Sequence, residues 1–365
     1  MDYSGRSREL RESLAENRLD ALLVSHLPNV RYLCGFTGSA GAIVVTPKAA
    51  VFFTDGRYTA QAREEVYGSR IKVDKNAPVI AAAHWLSRNS AKLRRKGPIR
   101  IGIEGNYFTV SSREALAKSL SWNFRISVAP PLVERLRAVK DAEEIQALRA
   151  AAELGGKLFD RALEIIRPGV REIEVAAEME YLARTSGAQE MSFPTIIASG
   201  PRSALPHGRA SPAPIPASGF VVCDFGVILS GYCSDVTRSV YVGTPKPAAR
   251  HTYKAVRRAQ SAALEAVRPG VAVSAVDHAA RRVLKSERLA QYFSHSTGHG
   301  LGLEIHEAPR IAAKQTDVLH AGMVITIEPG VYIPGEWGVR IEDTVLVTEN
   351  GSEVLTSTSK KLITL

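Results

Sequence analysis

The sequence predicts an α/β (α+β) protein in two parts, and three observations predict it. Helix-like and strand-like segments alternate from residue 6 to about residue 128. A Pro-Pro break then leads into a charged, strongly helical run, "APPLVERLRAVKDAEEIQALRAAAEL". Beyond it, two stretches beginning at Ala162 and Ala263, 101 residues apart, each read helix, Arg-Pro-Gly-Val stop, new helix, with strand-like segments following. Helical periodicity alternating with short apolar runs is the signature of mixed layers around a buried core. Two copies at so long a period do not make a solenoid; they suggest two related halves about a pseudo-twofold axis, with room for a site where the halves meet.

Each element follows from its local pattern. "SRELRESLAENRL" carries helical spacing, "DALLVS" is a short apolar strand, and "GAIVVTP" with "AAVFFTD" reads as a hairpin. "VIAAAHWLSRNSAKLRR" returns to helix, and "IRIGIEG" and "RISVAP" are strands bracketing another helix. Asp55, Arg57 and Tyr58 most simply start a helix, with Asp55 as its cap. Asp141 is a candidate N-cap whose capping-box partner is Glu144. The domain boundary falls within residues 129–140, giving domains of 1–130 and 131–365.

Composition excludes several classes. With 365 residues, 45% hydrophobic and 23% charged, the chain is an ordinary globular one, neither disordered nor fibrous. The N-terminus has no apolar signal region and no run of about 18 apolar residues occurs, so a cytoplasmic protein with no membrane partner is expected. Three cysteines, Cys34, Cys223 and Cys233, are too few for a disulfide framework and are expected as small buried residues. The net charge of +10 invites an anionic partner, but the densest basic run, "KLRRKG" at residues 92–97, lacks interleaved aromatics and reads as a solvated helix end, not a nucleic-acid site.

The chemistry is concentrated elsewhere. "HSTGHGLGLEIHEAP", residues 295–309, holds three of the nine histidines in a glycine-laced stretch. Asp224 and Asp235 lie 11 residues apart around a Ser230-Gly231 turn, and Glu328 and Glu342 lie 14 apart around a Pro-Gly turn. A hairpin brings such pairs face to face, and all four sit in apolar strand surroundings. Buried carboxylates are costly unless paired with cations or bound to metal. Four together carry a charge that two divalent cations neutralise compactly, with His299 available as a fifth ligand.

The order Asp-x10-Asp, Gly-His-Gly-x-Gly-Leu-x-x-His-Glu, Glu-Pro-Gly and Arg-Ile-Glu-Asp resembles the pita-bread metallopeptidases, namely prolidase, aminopeptidase P and methionine aminopeptidase, over roughly residues 135–365. "LPNVRYLCGFTGSAG" and "TDGRYTAQA" resemble the creatinase-like N-terminal domain of prolidases and aminopeptidases P, which methionine aminopeptidases lack. The resemblance implies a creatinase-like N-terminal α/β domain, a C-terminal pita-bread domain with pseudo-twofold symmetry, and a dinuclear metal centre held by Asp224, Asp235, His299, Glu328 and Glu342. No ligand position departs from the pattern.

The implied activity is hydrolysis of the bond between an N-terminal residue and a following proline, with proline-containing peptides as partners and a homodimer as the usual assembly. Oxygen-rich ligation with one imidazole suits Mn2+, placed first, and also Co2+, Zn2+ or Fe2+. Glu328 doubles as proton shuttle in this resemblance, while His207, His295 and His306 match family histidines that bind substrate or steady the tetrahedral intermediate. Arg340 is expected to pair with and orient a ligand carboxylate. Arg310 is either a fork for a dipeptide's free carboxylate, which tilts the reading toward a dipeptidase, or a surface arginine. Phe193, Tyr332 and Trp337 are near the ligands in sequence but read as core or turn packing. Another pita-bread aminopeptidase and a metal-free binding module of the same fold remain the alternatives.

Overall fold

The computed structural model describes residues 1–93 and 97–365, and half of "KLRRKG", residues 94–96, therefore lies outside the described residues. The chain forms two compact units, Met1–Arg137 and Ala138–Leu365.

The first unit is built on a six-stranded sheet of strands β1 (Ala21–Val24), β2 (Ala42–Val45), β3 (Ala50–Thr54), β4 (Arg70–Val73), β5 (Ile99–Glu104) and β6 (Phe124–Ala129), in the order β4-β3-β2-β1-β5-β6. The expected hairpin is β2 and β3, paired antiparallel. The β1–β5 and β5–β6 pairs are parallel, and the helices Pro78–Arg88 and Val110–Ser119 supply the crossovers that parallel pairing needs. Strands β1, β2 and β3 are buried along their whole length and β5 at all but Arg100, whereas the edge strands β4 and β6 are partly exposed. The first helix begins at Tyr3, before the expected Ser7, because Asp2 caps it by accepting from the Gly5 N–H at 2.8 Å. The long helix expected after residue 79 breaks at Asn89 and resumes as Ser90–Leu93. Asp55 caps a short 3-10 turn, Gly56–Tyr58, by accepting from the Arg57 N–H.

The second unit opens on the helix Ala142–Ile165, where Asp141 accepts from the Glu144 N–H at 2.9 Å and Glu144 accepts from the Asp141 N–H at 3.0 Å, the reciprocal capping box expected. The two echoed segments become two helix pairs, Ala142–Ile165 with Glu172–Thr185 and Pro247–Ala266 with Val273–Ser286. Pro168 and Pro269 follow each first helix, where a residue without an N–H ends helical bonding.

The strands of this unit are β7 (Glu190–Met191), β8 (Ile196–Ser199), β9 (Gly219–Phe225), β10 (Val227–Leu229), β11 (Tyr232–Cys233), β12 (Val236–Val242), β13 (Gly298–Gly300), β14 (Glu307–Ile311), β15 (Val324–Ile327), β16 (Gly330–Ile333), β17 (Trp337–Arg340), β18 (Asp343–Thr348) and β19 (Gly351–Val354). One sheet runs β12-β9-β8 and another β14-β13-β15-β18-β19. The first helix pair buries Leu158, Phe159, Val175 and Met179 with Ile197, Val221 and Val240. The second buries Val256, Ala263, Val276 and Leu284 with Ile325, Ile327 and Val345. Two helix-on-sheet halves thus each have their own core, the arrangement that the internal echo predicts. All three cysteines are free and buried, and burial pushes each thiol up to about 12. No described helix is long and apolar enough to cross a membrane.

Candidate metal centre

Both carboxylate pairs stand at joints in two-stranded ribbons. In β9 and β12, Thr237 pairs with Asp224 and Val236 with Phe225; beyond that point β10 and β11 close the ribbon around Ser230 and Gly231. Asp224 is therefore near the end of one long strand, and Asp235 lies just before the start of the other. The second pair repeats this construction. Ile327 pairs with Asp343 at the end of β15 and β18, Glu328 and Glu342 follow, and β16 and β17 continue as a hairpin turning at residues 334–336. Such a joint lets the ladder re-aim its side chains, and here it turns acids into a common space. β13 delivers His299 to the same space. Gly298 before it can only be glycine, since a Cβ there would lie 1.9 Å from the Thr326 carbonyl oxygen.

The side chains meet closely. One donor atom each of Asp235, His299 and Glu342 lies within 4.8 Å of the others. His299 Nε2 is 3.5 Å from Asp235 Oδ2 and 3.6 Å from Glu328 Oε1. The Thr237 hydroxyl donates to Glu342 Oε2 at 2.6 Å. Arg340 pairs with the Asp224 carboxylate, donates to the Tyr332 hydroxyl at 2.5 Å, and reaches Thr237 Oγ1 at 3.1 Å and the Pro206 carbonyl at 3.2 Å. The pairing of Arg340 with a candidate ligand carboxylate is the one its position in the sequence suggests.

The donor set fits divalent cations. His299 Nδ1 lies 3.0 Å from the Gly300 carbonyl, which can only accept, so Nδ1 carries the proton and Nε2 presents its lone pair to Asp235 and Glu328. Burial drives the His299 pKa down to about 4, which keeps the imidazole neutral. Lone pairs thus face lone pairs, an arrangement that is repulsive without a cation between them. The carboxylates record the same strain. Burial, and then the charges of Glu342, Asp224 and Glu328, push Asp235 well above the usual range; burial, then Glu328 and Asp224, do the same to Glu342. Glu328 is raised to about 7 by burial, with Arg340 opposing and Asp224 adding to the rise. Among the described residues Arg340 is the one arginine ion-paired with any of these four acids, so positive charge beside them falls short of negative.

A measurable consequence concerns the chelated protein. Because the folded pKa of Glu328, about 7, exceeds its ordinary value of 4.5, the native state holds a proton there that the unfolded chain has released. Stability is therefore highest at the acid end of that window and falls as pH rises toward 7, by on the order of 3 kcal/mol for this group. Asp235 and Glu342, raised in the same direction, add to the trend. Thermal melts of chelated protein are expected to show this loss between pH 5 and 8, and added Mn2+ is expected to remove it.

A cavity of about 660 Å³ is lined by His207, Asp224, Asp235, His295, His299, His306, Arg310, Glu328, Arg340 and Glu342, so every candidate site residue reaches one space. His306 is exposed at its mouth, with its ring centroid 4.4 Å from that of His299; burial, and then His207, lower its pKa. His295 has both ring nitrogens engaged, Nδ1 with the Ser296 carbonyl at 2.8 Å and Nε2 with the Tyr332 hydroxyl at 2.9 Å. Tyr332 thereby links Arg340 to His295, a function that its place in a strand did not announce. Phe193 lines the cavity, whereas Trp337 packs against the core and donates to Thr252 at 3.4 Å. The Thr237 hydroxyl likewise gave no signal in the sequence.

Comparison with known proteins identifies the family. Residues 146–349 match the model of metallopeptidase family M24, and residues 6–139 match the creatinase/prolidase N-terminal domain. A solved structure titled Xaa-Pro dipeptidase from Bacillus anthracis superposes with a TM-score of 0.94 at 39% identity, covering 100% of both chains. A curated protein of Pyrococcus horikoshii named Xaa-Pro dipeptidase is 38% identical over 357 residues, 98% of either chain. An X-Pro aminopeptidase from Thermotoga maritima superposes with a TM-score of 0.88 at 32% identity, covering 98% of this chain and 99% of its own. The fold is the creatinase-like N-terminal domain followed by the pita-bread domain, and the chain belongs to metallopeptidase family M24.

Proposed function

We propose that this protein is a divalent-metal-dependent Xaa-Pro dipeptidase. The observation that carries the reading is the buried meeting of four carboxylates with the lone pair of a neutral imidazole, in the cavity that also presents an arginine at its rim. Asp224, Asp235, His299, Glu328 and Glu342 would hold two divalent metal ions, with Mn2+ placed first, and ions held there would supply an acidified water and polarisation of the scissile carbonyl.

The remaining work belongs to side chains. Glu328 takes the proton from the attacking water and passes it to the departing proline nitrogen. That nitrogen carries no hydrogen in an Xaa-Pro bond, so the site needs no acceptor for one, while the departing nitrogen still takes up a proton as in any peptide hydrolysis. His306 and His207, at the mouth, donate hydrogen bonds to the oxygen that gains charge as the carbonyl becomes tetrahedral. His295, fixed by Ser296 and Tyr332, walls the cavity on the proline side. Arg340 neutralises Asp224 and holds it in place.

Arg310 sets the length preference. It is paired opposite His299 across β13 and β14, so the two side chains project from the same face of the sheet. It is exposed at the cavity rim, where a free carboxylate completes its fork. The likeness to an X-Pro aminopeptidase favours a second reading, in which longer peptides enter a cavity of about 660 Å³ and Arg310 stays at the surface.

Hydrolysis of Met-Pro, Met-Pro-Ala and Met-Ala-Ser by protein chelated and then reloaded with Mn2+ or Co2+ separates the readings. Preferential cleavage of Met-Pro is expected, and Arg310→Ala is expected to raise its KM by roughly 10-fold while leaving Met-Pro-Ala little changed. Methionine released chiefly from the tripeptide establishes the second reading, and no turnover with any metal contradicts both. The proposal includes a homodimer, to be checked by light scattering, and a cytoplasmic setting, which the three free buried thiols support.

A further inference from the structure

Thr237 and Arg238 are neighbours on β12 and so point to opposite faces of the sheet. Thr237 turns its hydroxyl to the Glu342 carboxylate. Arg238 turns away, and its guanidinium is 1% exposed. All five of its N–H groups are engaged: Nε with the Ser359 carbonyl at 3.1 Å, Nη1 with the carbonyls of Thr237 at 2.9 Å and of Glu342, and Nη2 with Asp343 Oδ1 at 2.7 Å and the Thr358 carbonyl at 2.9 Å.

Asp343, fully buried, is satisfied in turn. Its Oδ2 accepts from Gln260 Nε2 at 2.7 Å and from Lys360 Nζ at 2.6 Å. The Thr237 carbonyl that Arg238 holds also accepts the Glu342 N–H, at 3.1 Å. One planar group therefore fixes the backbone on both sides of the Thr237–Glu342 contact. Three of the partners in this network lie at residues 358–360, in a segment that continues along β12, where the Tyr241 N–H donates to Ile363 O and the Leu365 N–H to Tyr241 O, each at 2.9 Å.

We infer that Arg238 is a positioning residue for the metal centre, fixing Glu342 and Thr237 from behind, and that the segment 358–360 contributes through it to metal retention without entering the cavity. The inference rests on the reading of the acidic cluster as a divalent-metal site. Lysine cannot replace the guanidinium, because a single ammonium cannot span the three chain segments that the fork joins.

The test compares the Mn2+-loaded protein with R238K, K360M and the control K361M. Mn2+ affinity is measured by calorimetry after chelation, retention by elemental analysis under chelator challenge, and folding by circular dichroism. R238K is expected to weaken Mn2+ binding roughly 10- to 100-fold with KM for Met-Pro at saturating Mn2+ unchanged. K360M is expected to weaken it several-fold, and K361M not at all. If R238K fails to fold, K360M decides alone, since the Lys360 side chain is 29% exposed. Variants that melt at lower temperature yet hold Mn2+ as tightly as the parent overturn the inference and leave the metal reading standing. A parent that takes up no Mn2+ overturns both.

Discussion

Asp235→Asn is expected to lower kcat/KM for an Xaa-Pro dipeptide by roughly 10^3-fold or more, with loss of bound metal. Among the described residues Asp235 has no cationic side chain in contact, since its neighbour His299 is neutral, and its pKa is driven up by burial and by Glu342, Asp224 and Glu328. An amide of the same shape relieves that repulsion in the metal-free protein. The chelated variant should therefore melt at or above the temperature of the chelated parent, even as activity is lost. Opposite movement of stability and activity is the sign of a residue retained for metal binding and not for packing. It is read from steady-state kinetics, metal content and a pair of thermal melts.

Arg340→Met is expected to act in the reverse sense, damaging fold and function together. Its guanidinium is buried, pairs with Asp224, donates to Tyr332 and supports Thr237, so removing it leaves a buried carboxylate uncompensated. Breaking such a pair costs about 3 to 5 kcal/mol, and chelated protein should show the loss most clearly. Arg340→Lys restores the charge without the fork, and recovery of stability ahead of activity is the expected order. Equilibrium denaturation in the presence and absence of Mn2+ checks both variants.

Much of the fold could be read from the chain because local signals agreed with the tertiary structure. Asp141 and Glu144 form a capping box from sequence spacing alone, and the Arg-Pro-Gly-Val repeats end helices in both halves. Hairpin spacing likewise brings Asp224 near Asp235 and Glu328 near Glu342. What remained hidden depends on contacts between distant positions. Tyr332 meets His295, Thr237 meets Glu342 and Arg238 meets residues 358–360, and hydroxyls and arginines in strands carry no spacing pattern. Basic residues at helical spacing are hidden in the same way. Arg250, Lys254, Arg257 and Arg258 on one helix and His278, Arg282 and Lys285 on its partner are exposed at helical spacing, a clustering that no basic run marks.

The most direct test is calorimetric titration of Mn2+ into chelated protein at neutral pH, repeated in buffers of different ionisation enthalpy. The account predicts two equivalents per chain with net release of protons, since carboxylates raised by burial and mutual charge must ionise to bind. Uptake of less than one equivalent, or uptake that Asp235→Asn leaves unchanged, contradicts it.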